Sequence, residues 1–206
     1  MESTRGKLIV FEGNDGVGKT SIIFSVIKMF EKKGINILYC HFPGKYTKRL
    51  GELVDAIHHK AKFLNEYNLD FCPLVLQTLH VAAHIDLEKT YILPKLEKGS
   101  VIFLDRSWLS TLAYGSAYGV PENELETLVQ LERYFLPATL FDALIYVVRD
   151  NDDKGAYKEK ILGFYEMYIQ KYINQNNVHL ICNNDDLDSA VNRVYLQIDE
   201  LIKNED

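Results

Sequence analysis

The sequence predicts an α/β fold of three layers, a five-stranded parallel sheet flanked by helices. Three observations carry that prediction. Short apolar runs recur without the polar alternation of a half-exposed strand, as in Leu8–Phe11 and Val101–Leu104. Helical patterns separate each run from the next, which is the signature of parallel strands covered on both faces. The first run leads directly into Gly13-x-x-x-x-Gly18-Lys19-Thr20, and a helical pattern follows at once.

Taken in order, the strands are expected at 8–11, 35–42, 101–104, 143–148 and 178–181. The helices are expected at 19–33, 47–60, 73–97, 107–118, 122–135, 155–175 and 186–203. Lys32-Lys33-Gly34 supplies a stop signal after the first helix. A chain of 206 residues suits one domain that buries about 70% of its unfolded surface. No repeat, low-complexity tract or long linker divides it, so residues 1–206 are expected to form a single domain. The net charge of −6 argues against broad nucleic-acid binding. Cys40, Cys72 and Cys182 are scattered without metal spacing, which suits reduced thiols. With no signal peptide or membrane-length apolar stretch, a soluble cytoplasmic protein is expected, without nucleic-acid or membrane partners.

Strand, glycine loop and helix in immediate succession make Gly13–Thr20 a P-loop, and the expected fold is that of the P-loop NTPases. Its backbone N–H groups turn toward phosphate oxygens, aided by the partial positive charge of the helix N-terminus. The nucleotide-binding candidates are Gly13, Asn14, Asp15, Gly16, Val17, Gly18, Lys19, Thr20 and Ser21. Lys19 reaches the terminal phosphates and Thr20 offers a hydroxyl to Mg²⁺. In a parallel sheet the ligand lies beyond the carboxyl ends of the strands. That edge gathers the P-loop, the Phe42-Pro43 turn, Asp105-Arg106 and the segment Arg149 to Lys154. Neither an Asn-Lys-x-Asp guanine-reading segment nor an Asp-x-x-Gly switch appears where a GTPase would carry it. Lys45 and Arg106 are suited to holding a second phosphate, as a kinase needs.

The chain resembles the thymidylate kinases. The matching pieces are Phe11-Glu12-Gly13-x-Asp15-Gly16-x-Gly18-Lys19-Thr20, Phe42-Pro43-x-Lys45-x-Thr47, Leu93-Pro94-Lys95-Leu96-Glu97-Lys98-Gly99 and Asp105-Arg106-x-x-x-Ser110-x-x-Ala113-Tyr114. The resemblance implies a nucleoside monophosphate kinase that uses Mg²⁺ and ATP to convert dTMP to dTDP, in nucleotide biosynthesis, as a homodimer. It implies that Asp15 holds the acceptor sugar, with a loop-stabilising acid as the other reading. Lys45, where the family usually has an arginine, would grip the acceptor phosphate; a solvated loop lysine is the alternative. Asp105 would orient Mg²⁺, and Arg106 would bridge donor and acceptor phosphates. Phe42 belongs to the acceptor site. Tyr114 would pack under the acceptor sugar, or serve as a plain core tyrosine.

Three departures from the family pattern stand out. His80 and His84 occupy the positions of the base-stacking phenylalanine and base-bonding arginine, one helical turn apart on one face. They read a base, ligate a metal, or are ordinary polar positions; Thr111 is a further candidate contact to the base. Gly16 replaces a catalytic arginine, and the lid that would compensate is a short segment at 149–158. Arg149, Lys154 and Lys158 are its candidate cations. Gly115 replaces a glutamine that contacts the base. Two alternatives to dTMP phosphorylation follow: a kinase for another deoxynucleoside monophosphate, or a catalytically weak nucleotide-binding sensor or assembly protein.

Overall fold

The computed structural model describes residues 5–44, 49–59, 71–149, 156–184 and 186–203. Five parallel strands form one sheet in the order β2-β3-β1-β4-β5. They are β1 (Leu8–Glu12), β2 (Ile37–His41), β3 (Val101–Asp105), β4 (Ala143–Val148) and β5 (Val178–Cys182). The expected sheet is therefore present, and each strand lies within about two residues of its expected place. β1 is central, paired with β3 on one side and β4 on the other. Its four apolar residues Leu8, Ile9, Val10 and Phe11 are fully buried. Burial of each such side chain contributes roughly 1.5–3 kcal/mol, which suits an uninterrupted apolar run to the middle position. β2 and β5, at the edges, are only partly buried.

The two faces of the sheet carry two cores, and β1 divides its side chains between them by the two-residue period of a strand. Ile9 and Phe11 pack with Phe103, Ile145 and Val147 under α1 (Lys19–Glu31) and the last described helix, Leu187–Lys203. Leu8 and Val10 join Leu104, Leu144 and Tyr146 on the opposite face. There the sheet is covered by α3 (Pro73–Leu87), α5 (Trp108–Ala117), α6 (Glu122–Phe135) and α7 (Ala156–Tyr172). The C-terminal helix is α8, and α2 (Leu50–His59) lies against α3.

The helix expected over 73–97 is interrupted. After α3 a π-helical turn covers Glu88–Ile92, with the Leu93 N–H donating five residues back to the Glu88 carbonyl, before the short α4 (Leu93–Leu96). Pro94 gives the reason: it has no N–H, and its ring would collide with the carbonyl four residues earlier in a regular helix. The wider turn accommodates it, and π turns of this kind favour functional sites.

Candidate active site

The loop from Gly13 to Gly18 is clamped from two sides. A Cβ on Gly13 (φ 139°) would lie 2.2 Å from the Val147 carbonyl oxygen of β4. One on Gly18 (φ 93°) would lie 2.4 Å from Asn183 Nδ2, and that amide donates to the Val17 carbonyl at 2.8 Å. Only glycine fits either place. Asn14 Nδ2 donates to the Lys158 carbonyl at 3.0 Å, tying the loop to the start of α7. Val17 is buried in the core beneath. What remains open is a cleft of about 310 Å³, lined by Gly16, Gly18, Lys19, Thr20 and Ser21. Backbone amides at a helix N-terminus and an ammonium group make this an anion cradle.

Lys19 Nζ donates to the carbonyls of Gly13 and Asn14, each at 2.8 Å. Burial lowers its pKa to about 8, and the Arg106 charge acts the same way, against the pull of Asp105, Asp15 and Glu12. Asp105, at the end of β3, accepts from Thr20 Oγ1 and Tyr39 Oη through Oδ2, each at 3.2 Å; its buried Oδ1 has no partner among the described residues. Among the described residues no group of three histidine, cysteine or acidic side chains is arranged to hold a metal. A divalent cation here would rest on Thr20, Asp105 and the phosphates of a nucleotide. The unpartnered Oδ1 beside a hydroxyl fits such an ion.

Arg106 is the hub. Its φ of 75° makes it a non-glycine residue held in the left-handed region, a conformation that costs of order 1–3 kcal/mol. Its backbone N–H donates to the Phe11 carbonyl at 2.9 Å, and so turns the chain toward the P-loop as β3 ends. Nη1 donates to Ser110 Oγ at 3.1 Å and Tyr165 Oη at 3.0 Å; Nη2 donates to Asp15 and to Tyr114 Oη, the latter at 3.2 Å. Tyr114 Oη in turn donates to Asp15 Oδ2 at 3.0 Å, and its ring lies 5.0 Å from the guanidinium carbon. Partial desolvation of the exposed Asp15 carboxyl opposes its ionisation, but Arg106, Lys19 and Tyr114 outweigh it and hold the carboxyl below its ordinary value. Burial raises the Tyr114 pKa to about 12, so its hydroxyl stays protonated.

Beneath this hub lies Glu12, fully buried at the end of β1. One oxygen accepts from Ser107 N–H (2.7 Å) and Ser107 Oγ (2.8 Å), the other from Ser110 Oγ (2.8 Å). Ser107 caps α5 by accepting from Leu109 N–H at 3.2 Å. Thus Glu12 ties the start of α5 to the central strand, and Ser110 passes that constraint to Arg106 and Tyr165.

A second cleft of about 370 Å³ opens on the other side of Arg106. It is lined by Phe42 and Pro43, by Gln77, His80 and His84 of α3, and by Thr111 and Tyr114 of α5. Phe42 stacks on His84 with ring centroids 4.0 Å apart and planes at 15°. His84 is 3% exposed, and its Nδ1 lies 2.8 Å from Glu132 Oε1. His80 shares the helix face with it, ring centroids 6.1 Å apart. Thr111 is buried, and its hydroxyl has no partner among the described residues. Asp15, Thr20, His41 and Arg106 border both clefts.

The sequence-derived candidates therefore fall into two groups joined at Arg106. Lys45 and Lys154 lie outside the described residues. Arg149 is exposed at the carboxyl end of β4, and Lys158 is half-buried near the start of α7. Glu12, Tyr39, His41, Gln77, Ser110, Glu132 and Tyr165 were not among the candidates. Glu12 and Ser110 stood inside the quoted motifs. His41 closes β2 at the ligand edge; Glu132 and Tyr165 carry no local signal.

A phosphate cradle opening onto a second, nucleoside-sized cleft is the layout of a P-loop phosphotransferase. The sequence model of the thymidylate kinases matches residues 11–154, and the chain belongs to that family. It is 32% identical over 140 residues to a probable thymidylate kinase from Staphylothermus marinus, covering 68% of this chain and 63% of the relative. It is 30% identical over 173 residues to the thymidylate kinase of Legionella pneumophila strain Corby, covering 84% and 77%. The crystal structure of thymidylate kinase from Ehrlichia chaffeensis superposes with a TM-score of 0.72 at 20% identity, over 95% of this chain and 99% of the other. That likeness establishes the fold. No described helix is long and apolar enough to cross a membrane.

Proposed function

We propose that the protein transfers the γ-phosphoryl group of ATP to dTMP, giving ADP and dTDP. The observation that carries this reading is the meeting of the two clefts at Asp15, Thr20, His41 and Arg106. A donor tail in the P-loop and an acceptor phosphate in the second cleft would both reach the same guanidinium. Family membership supports thymidylate as the acceptor.

In this reading Lys19 and the loop amides bind the β- and γ-phosphates, and the ammonium neutralises charge that shifts toward the leaving oxygen. Arg106 holds the transferring group and the acceptor phosphate together; its fork, braced by Ser110, Tyr165 and Tyr114, arrives preorganised. Asp15 accepts hydrogen bonds from the acceptor sugar, and Tyr114 forms the wall beneath it. His80, His84 and Thr111 face the base. Thr20 and Asp105 would hold Mg²⁺, which would supply further charge neutralisation at the phosphates. Lys45, Arg149, Lys154 and Lys158 are proposed as the additional cations that close on the phosphates. A homodimer is proposed from the family resemblance.

A coupled ADP-release assay over a panel of nucleoside monophosphates tests the reading. dTMP is expected to show the highest kcat/KM, with turnover in the range of about 1–100 s⁻¹. Turnover of dTMP no better than the rest of the panel would refute it.

A further inference from the structure

Glu132 sits on α6, 48 residues from His84 in sequence. Its side chain is fully buried, and one oxygen lies 2.8 Å from His84 Nδ1 while the other has no partner among the described residues. Glu88, in the π-helical turn, is also fully buried, with neither carboxyl oxygen hydrogen-bonded to a described residue. Among the described residues no lysine or arginine pairs with either acid. We propose that Glu132 is a positioning residue for substrate recognition: it fixes the His84 ring so that Nε2–H points a hydrogen-bond donor at the base of the acceptor. The proposal deepens the dTMP kinase reading and rests on it.

Four protonation states of the pair decide the matter. A neutral Glu132 protonated on Oε1 donates its O–H to Nδ1, which places the ring proton on Nε2. An imidazolium facing a carboxylate carries protons on both nitrogens, so Nε2 donates again. Two states leave Nε2 bare, each with the ring proton on Nδ1. In one Glu132 is ionised, which strands an uncompensated carboxylate in the core next to a second buried acid. In the other Glu132 is neutral and carries its proton on Oε2, where among the described residues no acceptor meets it, so a buried O–H goes unsatisfied. Burial raises the Glu132 pKa, with Glu12 acting in the same direction, and lowers that of His84 to about 3. Both shifts favour the neutral acid beside the neutral ring.

Packing holds the ring in this arrangement. Phe42 covers one of its faces, and α3 carries it on the cleft wall. With Nδ1 engaged, Nε2 is the polar atom left for a ligand. A donor there accepts a partner with a ring carbonyl, as at the 4-position of thymine. It rejects the amino group that cytosine carries at the same place. A neutral imidazole thereby supplies the donor function at the position of the family's arginine, and needs a buried acid behind it to hold the tautomer.

The test is ¹⁵N NMR of the histidine side chains in the ligand-free protein, with the His84 signal identified by its loss in His84→Asn. A protonated Nε2 is expected in the wild type and in Glu132→Gln, whose amide N–H can still donate to Nδ1. Glu132→Leu is expected to lose the fixed tautomer. In kinetics, Glu132→Leu should shrink the kcat/KM preference for dTMP over dCMP by about tenfold, mainly through KM, and Glu132→Gln should restore most of it. A bare Nε2 in the wild type overturns the proposal, as does an unchanged preference in a folded Glu132→Leu. If Glu132→Leu does not fold, the wild-type and Glu132→Gln spectra decide. Absence of dTMP turnover in the wild type would defeat the proposed function, while the ring spectrum of the free protein would still report on Glu132.

Discussion

Arg106→Lys isolates what the guanidinium fork does, because it keeps the positive charge and removes the geometry. The Arg106 guanidinium donates to four side chains, Ser110 and Tyr165 on one side and Asp15 and Tyr114 on the other, and Nη1 also reaches the Gly13 carbonyl at 3.5 Å. A lysine carries one nitrogen and can serve one side at a time. If it keeps Asp15, the Ser110 and Tyr165 hydroxyls lose their charged partner; if it sinks toward Tyr165, the bridge between clefts is lost. Side-chain hydrogen bonds to charged groups are worth about 1.5–3 kcal/mol each. The Asp15 contact is discounted because that side chain is 77% exposed. Removing one preorganised charge stabiliser from a transition state costs about 2.7–4 kcal/mol, or 10²–10³ in rate. The expectation is therefore a fall in kcat of about 10²–10³, with ATP affinity nearly unchanged because Lys19 and the loop amides remain. Single-turnover quench of ATP against dTMP is the proper assay, since slow product release can mask the chemical step. A folded Arg106→Lys enzyme with a single-turnover rate within about threefold of wild type would refute the bridging role.

Other perturbations probe the cradle and the second cleft. ATP binding should weaken as pH rises through about 8, the lowered Lys19 value, by up to tenfold per unit, because only the ammonium form neutralises phosphate. The sign for stability is opposite: between about 8 and the ordinary 10.5 the unfolded chain binds the extra proton, so stability of the free protein rises with pH there. Calorimetric titration from pH 7 to 9.5 checks the first statement, and constant affinity across that range contradicts it. Gly18→Ala places a Cβ 2.4 Å from Asn183 Nδ2 at a φ of 93°. ATP affinity measured by calorimetry should fall by at least about tenfold, with thermal unfolding lowered by 1–3 kcal/mol. Gly115→Ala meets Leu125 Cδ2 at 2.5 Å and Gln77 Cγ at 3.3 Å. Overpacking of about 1–3 kcal/mol exceeds the gain of up to about 1 kcal/mol from replacing a helical glycine. A lower melting temperature and a raised KM for dTMP are expected; a stabilised variant with unchanged KM would show that Gln77 does not need that space.

The fold was legible because its signals are local. Leu8–Phe11 and Ala143–Val148 are apolar without interruption, and the turn from Phe11 through Lys19 carries its whole meaning in 9 residues. The same holds for Asp105 and Arg106, whose place at the ligand edge follows from the strand they end. The supports of the site were not legible, since they are made by residues that meet only after folding. Tyr165 reaches Arg106 across 59 residues, Glu12 reaches Ser107 across 95, and Glu132 reaches His84 across 48. The motif that contains His80 and His84 says nothing of Phe42 stacking on one of them. Pro94 is visible in the sequence, but helical patterns continue on both sides of it, and no local residue marks the π turn at Glu88–Ile92.

The central claim is that one guanidinium serves two adjoining nucleotide clefts. A ligand with adenosine and thymidine joined through their 5′ oxygens by a polyphosphate chain measures this most directly, by calorimetry against ATP and dTMP alone. Binding about 10²–10⁴ tighter than the better single nucleotide is the expected result, with most of the gain lost in Arg106→Lys. Affinity no greater than that of ATP would mean the two clefts cannot be filled at once, and the account would fail.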